Sequence, residues 1–570
     1  MHLTQRFFNQ EAKYQDKICF SSRGQTSWVT LSWREVGNYV RAVMSGLRSR
    51  GIQPGDRVLL LAENRPEWAI FDLAIMGIGA YVVPAYTTHT KADLNHILDL
   101  VTPVAAITSS AELSSRIVES SSGYPGLKYL WAEDPGVTPI NTGNEIHPWS
   151  DLLLCETSNH ELCEWDHDDI CALILTSGTS GLPKAAMLTH RSIGSNVDDA
   201  LKILTEHNFG DEDRFLSFLP LAHAYEHTAG LHMPISMGAE IWFCESTDKL
   251  QHYLPEVRPS VATAVPRLYD LLYGRINAQL KSAPKSKQWL FSKTLALGKK
   301  RVNGQKLSIT EILLDSLLDK LVRAKVRERF GGRIRYFISG GAALNPEVGE
   351  FFTALGVGII QGYGQTEASP LISVNKPSWI KIDSCGQPFD RTEISLADDG
   401  ELLVRGPSLM KGYWDDEKAT DEAIKNGWLH TGDLATIDDD GFVRIVGRKK
   451  DLIVTSGGDN IAPSKLEATL SSQPEIEQAV VFGDSRPWLG AVLVPSPEIL
   501  SANGKSDSIG QQLQSAVDRV NVNLSQAERI RKFVVQEDIC STDNGLLTPT
   551  QKVKRTAVLE RNSKQIAELY

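Results

Sequence analysis

Short β-branched runs alternate with helical patterns along most of this 570-residue chain. That alternation constrains the fold more than any other feature. The runs RVLLLA near Val58, AAIT near Ala105, CALILT near Ile174, YFIS near Phe337 and GIIQGYG near Ile359 have the length of strands. Strands that alternate with helices build largely parallel sheets, so the predicted class is α/β. A chain of this length exceeds one hydrophobic core, and at least two domains are expected. From about Gly386 the pattern changes to short strands and tight turns, as in GELLVRG and DGFVRIVGR, with Asp-Gly pairs at Asp399 and Asp440. After Lys450 roughly a hundred residues remain, enough for one small α+β domain. The boundary is expected in GRKKD, where a glycine and a charged run make a bendable connection. This gives an N-terminal domain over 1–447, with mainly parallel sheets and a small β-rich part, and a C-terminal domain over 448–570.

The net charge of -11 speaks against nucleic acid as a main partner, because phosphate binding needs a basic face. Seven cysteines are scattered without a Cys-x-x-Cys pair, so neither a disulfide framework nor a zinc ribbon is expected. A reducing, cytoplasmic compartment fits. The first residues carry no apolar run of signal-peptide type. The longest apolar stretch, Trp68 to Tyr86, is broken by Asp72, Gly77, Gly79 and Pro84, and is read as a buried helix followed by a strand.

One segment departs from the acidic average. Between Arg275 and Arg335 there are 16 Lys or Arg and 4 Asp or Glu, a balance of about +12. Within it Leu313, Leu314, Leu317, Leu318 and Leu321 stand at helical spacing. Two readings stay open: a solvated helical face packed on the core, or a patch that touches anionic lipid or a cofactor's phosphates.

Four motifs carry chemistry. In LTSGTSGLPK, small residues from Thr176 through Ser177, Gly178, Thr179, Ser180 and Gly181 can turn backbone N–H groups and hydroxyls toward one anion, and Lys184 adds a charge. The spacing departs from the Walker pattern, and no Ser or Thr follows the lysine. In QGYGQTE, Tyr363, Thr366 and Glu367 follow a buried-type strand, at the edge where open α/β sheets bind ligands. Tyr363 suits stacking on a base, Thr366 donation to a phosphate, and Glu367 a Mg²⁺ ion. Upstream, SGGAAL allows close backbone approach to a flat ring. In GWLHTGDLATIDDDGFVRIVGRKKD, Asp433 suits two vicinal hydroxyls and Arg448 adds a planar fork. In LTPTQKVKR, Lys552 sits in a polar turn that alone would mean nothing.

Together, in this order and over nearly the whole chain, the four resemble the adenylate-forming superfamily of acyl-CoA synthetases, luciferases and peptide-synthetase adenylation domains. RKKDLIVTSGGDNIAP and LTPTQKVKR look like its long-chain fatty acyl-CoA ligase branch. The resemblance implies ATP-dependent conversion of a fatty acid to acyl-AMP and then to acyl-CoA, with ATP, Mg²⁺ and the co-substrate CoA. It implies that the Thr176–Gly181 loop and Lys184 hold phosphates, and that Gly341, Ala342 and Tyr363 hold adenine. Thr366 would touch the α-phosphate, Glu367 and Thr176 would serve the metal, and Asp433 and Arg448 the ribose. His223, in LPLAHAYEH, would stand at the acyl site, Lys552 would be the adenylation lysine, and Lys450 the hinge of a mobile C-terminal lid. Two departures stand out. Gln551 replaces a glycine common in relatives, and SGGDN is one residue longer than in aryl-CoA ligases, so either Gly457 or Gly458 would line the pantetheine tunnel. An acyl carrier protein's phosphopantetheine arm is the alternative acceptor. The partners expected are fatty acid, ATP and CoA, with room for peripheral contact with the inner face of an anionic membrane and for oligomers. His223, His227 and His232 lack the spacing of a zinc protease, so the latter two are read as structural.

Overall fold

The computed structural model describes the chain except residues 122–123, 125, 134–145, 159, 177–182, 503–505, 543 and 549–551. Two large sheets dominate. A seven-stranded sheet has Arg57–Leu61 and Tyr81–Ala85 at its centre, and its strands are parallel except for the last pair, Ile170–Thr176 with Lys184–Thr189. A nine-stranded sheet has Val261–Ala264, Tyr336–Ser339 and Gly358–Gly364 as parallel neighbours, with antiparallel strands added at both edges. Each of the five β-branched runs forms a strand.

One continuous core serves both sheets. Helix Pro66–Gly77 lies inside it, apolar apart from Glu67 and Asp72 and buried along almost its full length, as a helix without a polar face must be. Strand Tyr81–Ala85 follows it, so the Trp68–Tyr86 stretch is a buried helix and strand. Among the described residues no helix is long and apolar enough to cross a membrane. All seven cysteines are free thiols.

A separate five-stranded sheet spans Glu393 to Arg448, with Asp-Gly turns whose glycines Gly400 and Gly441 take the left-handed φ of +83° and +80°. Arg448 closes its last strand, Val443–Arg448. Beyond it, the three strands Ile476–Phe482, Leu489–Pro495 and Ile530–Val535 carry helices on both faces, around cores of their own. This C-terminal part meets the N-terminal part through Arg267, whose guanidinium pairs with the Glu477 carboxylate and donates to the Glu477 carbonyl at 3.3 Å.

The basic segment forms helices Lys285–Val302 and Ile309–Leu318. The expected helix over the leucines is present, and Asp315 and Leu318 are its buried residues. Leu318 alone of the five leucines is buried, while Leu313, Leu317 and Leu321 face solvent.

Candidate functional site

Tyr363 stands near the C-terminal end of strand Gly358–Gly364. Its hydroxyl donates to Asp433 Oδ2 at 2.5 Å. Asp433 and Arg448 are directly opposed across two antiparallel strands, and Arg448 Nε lies 3.0 Å from Asp433 Oδ1. A bulge between Leu434 and Ala435 sets that register. Burial pushes the Asp433 carboxyl upward, against the charge of Arg448 and the Tyr363 hydrogen bond. Burial, then the Asp433 charge, hold the Tyr363 hydroxyl far above its usual range, so it is a donor at neutral pH.

The neighbouring strand Tyr336–Ser339 pairs Ser339 with Gln361, so the chain leaves the sheet at the same end as Tyr363. Gly341 and Ala342 are exposed on that turn. Gly341 has φ +82°, where a side chain would be strained, and its backbone stays open to a flat ligand.

Thr366 and Glu367 open a short 3₁₀ turn. Glu367 Oε1 accepts a hydrogen bond from the Tyr413 hydroxyl at 2.6 Å. Tyr413 reaches it because its loop runs along strand Lys184–Thr189: Lys411 N donates to Met187 O at 2.9 Å and Trp414 N to Ala185 O at 2.8 Å. Lys184 Nζ lies 4.9 Å from the Tyr413 ring centroid and 3.6 Å from Asp416 Oδ2. Thr176 is paired with Lys184 across the strands, and its hydroxyl donates to the Lys184 carbonyl at 3.4 Å. Ser177, Gly178, Thr179, Ser180 and Gly181 lie outside the described residues; Thr176 and Lys184 frame them. Sequence reading does not find Tyr413 or Asp416. Their only signal is an aromatic pair beside acids in KGYWDDE.

His223 Nδ1 accepts from the Tyr225 N–H at 3.1 Å, which leaves the proton of the neutral ring on Nε2. Burial, then the charge of Lys552, hold this imidazole down to about 4. The Tyr225 hydroxyl donates to Ile338 O at 2.8 Å and fastens the loop to the strand that leads to Gly341. Lys552 comes from the C-terminal part, in a turn closed by Thr548 N donating to Lys552 O at 2.8 Å and Lys552 N donating to Thr548 Oγ1 at 3.0 Å. Its surface is open to solvent while protein atoms crowd around its ammonium. Burial, then the Arg448 charge, lower its ammonium from the usual lysine range, while Asp433 opposes them. Lys552 therefore feels His223, Asp433 and Arg448 together.

Lys450, in the exposed turn Lys449–Asp451, and Gly457 and Gly458, in the turn before Asn460–Ile461, make none of these site contacts among the described residues. Gly458 has the left-handed φ of +85°.

His227 and His232 are buried against Asp72 of the central helix. His227 Nε2 is 2.9 Å from Asp72 Oδ1, and His232 Nε2 is 3.3 Å from Oδ2. Burial alone would raise the Asp72 carboxyl, but the two imidazoles outweigh it and bring it down to about 2. The three donor atoms are close enough for a metal. Both nitrogens nevertheless already serve the carboxylate, which a buried charge requires.

Residues 7–414 match the model of the AMP-binding enzyme family, and residues 450–570 that of the AMP-binding enzyme C-terminal domain. The long-chain-fatty-acid–CoA ligase FadD15 of Mycobacterium tuberculosis is 32% identical over 99% of this chain and 96% of its own length. Human long-chain-fatty-acid–CoA ligase 6 is 31% identical over 95% of this chain and 82% of its own. The adenylation domain of a carboxylate reductase from Mycobacterium chelonae shares the fold, with a TM-score of 0.81 at 23% identity, covering 100% of this chain and 91% of that domain. With models of the family and its C-terminal domain spanning nearly all of the sequence, and relatives aligned almost end to end, the chain belongs to the AMP-binding enzyme family.

Proposed function

We propose that this protein is a long-chain-fatty-acid–CoA ligase. The observation that carries the reading is Lys552. The C-terminal part brings this lysine within electrostatic reach of His223 on one side and of Asp433 and Arg448 on the other. A cation held between an acyl-site histidine and a ribose-type carboxylate is suited to the bridging phosphate of an acyl-adenylate.

A carboxylate oxygen attacks the α-phosphorus of ATP and pyrophosphate departs, leaving the acyl group on AMP. The CoA thiol then attacks the acyl carbonyl, its proton passes to solvent, and AMP leaves. The protein contributes alignment and charge. Gly341, Ala342 and Tyr363 take the adenine. Asp433 accepts from the ribose hydroxyls, with Arg448 beside it. His223 offers its Nε2 proton to the carboxylate, and Thr366 and Lys552 donate to the α-phosphate. Lys184 and the loop it frames receive the outer phosphates. Magnesium fits these residues: Tyr413 fixes Oε1 of Glu367, and no protein hydrogen bond reaches Oε2 among the described residues. Oε2 with phosphate oxygens makes a hard-oxygen set, and the ion would neutralise charge on the departing pyrophosphate. The Thr176 hydroxyl is turned to the Lys184 carbonyl instead. The C-terminal domain from 448 turns at Lys450 between the two half-reactions, exchanging Lys552 for the thiol.

The test is pyrophosphate release over acids of increasing length. Turnover rises toward palmitate length, because each buried CH₂ contributes about 0.8 kcal/mol. Acetate or benzoate as the best substrate overturns the reading. The half-reactions should also separate. Lys552→Ala lowers adenylate formation roughly 10²-fold or more, while a supplied acyl-adenylate is still converted to thioester. Lys450→Pro, which fixes φ at the pivot, leaves pyrophosphate release nearly intact and slows acyl-CoA production. Equal loss of both steps in both variants removes the domain alternation.

A further inference from the structure

The pivot expected at Lys450 has a fixed side. Lys449 Nζ pairs with Asp399 and lies 3.3 Å from Glu401 Oε2. These acids stand at the start of strand Glu401–Arg405 in the five-stranded sheet, so the residue before the pivot is tied to the N-terminal part. A turn of the C-terminal domain at Lys450 leaves those pairs in place. Beyond the pivot, one ion pair joins the two parts among the described residues: Arg267 with Glu477.

Arg267 lies in the first turn of helix Pro266–Lys281, directly after strand Val261–Ala264 of the nine-stranded sheet. That helix starts beside the turn of Gly341, where an added side chain would meet Val265 Cγ1 at 3.6 Å. The guanidinium takes the Glu477 carboxylate and also donates to the Glu477 carbonyl at 3.3 Å, so it grips side chain and main chain of one residue. Glu477 sits at a bulge between Ile476 and Gln478 in strand Ile476–Phe482. While Glu477 meets Arg267, Gln478 holds Cys540: its Oε1 accepts from Cys540 N at 2.8 Å, and its Nε2 donates to Cys540 O at 3.3 Å. Val480 and Phe482 of the same strand share a core with Leu547, and Val553 packs against it. Leu547 and Val553 are bridged across the turn that carries Lys552. One strand therefore meets Arg267 and seats the Lys552 turn.

We propose that the Arg267–Glu477 pair is the latch that holds the C-terminal domain in the pose for adenylate formation. The proposal rests on the ligase reading and its domain alternation. Both are positioning residues, since they act through the seat of Lys552. A rotation that withdraws Lys552 carries strand Ile476–Phe482 with it and breaks this pair, while Lys449 keeps its partners. The two side chains are 44% and 24% exposed, so water screens the pair and its bias is modest. Alternation needs a modest bias, because each turnover visits both poses. A pair of this kind shifts an equilibrium by about fivefold, which favours the closed pose without locking it.

The experiment measures two rates on each preparation of the full chain: pyrophosphate release without CoA, and acyl-CoA formation from supplied acyl-adenylate. The ratio of the second to the first follows the balance between the poses, and a loss of folded protein cancels from it. Arg267→Gln and Glu477→Gln each raise this ratio about fivefold. Combined, they raise it no further than one alone. The exchange Arg267→Glu/Glu477→Arg returns it to within about twofold of wild type. Arg519→Gln, which removes the partner of Glu475 inside the C-terminal part, leaves it unchanged. A further measurement needs no catalysis. Tryptic cleavage in the exposed turn Lys449–Asp451 is about fivefold faster in either single variant, because a freed domain lets that turn open. A chain that forms no acyl-adenylate from any acid, yet shows this faster cleavage, keeps the latch between domains and loses the ligase reading. In an active enzyme, an unchanged ratio in both single variants, an exchange that fails to restore it, or an equal shift in Arg519→Gln overturns the latch.

Discussion

Two tyrosine hydroxyls in this site each hold a carboxylate, and the two pairs are built differently. Tyr363 and Asp433 meet strand to strand, and the pair is closed: Tyr363 takes Oδ2 and Arg448 takes Oδ1. Tyr413 and Glu367 meet loop to turn, and the pair is half open, since Tyr413 takes Oε1 alone. The same contact thus has two uses. On the proposed assignment, the Tyr363 hydroxyl in the closed pair holds the place that a ribose hydroxyl takes in the complex. In the open pair the Tyr413 hydroxyl keeps its partner aimed while the other oxygen stays available. On the proposed assignment the first tyrosine is a place-holder and the second a positioning residue, and substitutions should tell them apart.

The largest effect is expected at the shared acceptor of the closed pair. Asp433→Ala removes the acceptor for two ribose hydroxyls, and charge-assisted hydrogen bonds contribute about 1.5–3 kcal/mol each. kcat/KM for ATP falls roughly 10²-fold or more, while the KM for the fatty acid holds. Steady-state kinetics with each substrate varied in turn gives the answer. Equal changes in both KM values would mean that Asp433 supports the fold rather than the nucleotide.

The open pair comes next. Glu367→Gln keeps an acceptor for Tyr413 but removes the charge, so the Mg²⁺ needed for half-maximal pyrophosphate release rises by roughly 10²-fold. Tyr413→Phe leaves the charge but frees the side chain, and the requirement rises about tenfold. Excess Mg²⁺ restores the rate of Tyr413→Phe. A Tyr413→Phe enzyme with normal Mg²⁺ dependence and a lowered rate would remove the positioning role.

These pairs also show what the sequence holds and where it stops. The β-branched runs were legible as strands because strand length and turn chemistry are local properties. The tight turn at Asp440 and Gly441, which lies between Asp433 and Arg448, was legible from its Asp-Gly pair. The direct opposition of Asp433 and Arg448 was not, because it depends on the bulge between Leu434 and Ala435; the hairpin's register at Ile437 and Val443, continued without the bulge, would set Asp433 against Gly447. Tyr413 escaped because it lies 46 positions from Glu367 and reaches it only when its loop zips onto strand Lys184–Thr189. The helix at Ile309–Leu318 was legible from leucine spacing, but its orientation was not. Periodicity marks an apolar face without saying what covers it, and here the buried Asp315–Arg323 pair took the inward side.

The smallest effect on catalysis, and the sharpest test of the comparison, is expected at Tyr363→Phe. In the free enzyme the substitution leaves Asp433 Oδ2 buried without its donor, and an unsatisfied buried acceptor costs about 1–3 kcal/mol. In the ATP complex a ribose hydroxyl supplies the missing donor, so that cost is relieved on binding. The free protein therefore melts lower than wild type, and ATP raises its melting temperature by more than it raises that of wild type. The apparent affinity for ATP stays within about threefold or tightens, because only the unbound state has lost an interaction. Thermal unfolding of both proteins, with and without ATP, measures the difference directly. If Tyr363→Phe instead weakens ATP tenfold with no change in the stability of the free protein, the hydroxyl acts in the complex and not as a place-holder, and the contrast with Tyr413 fails.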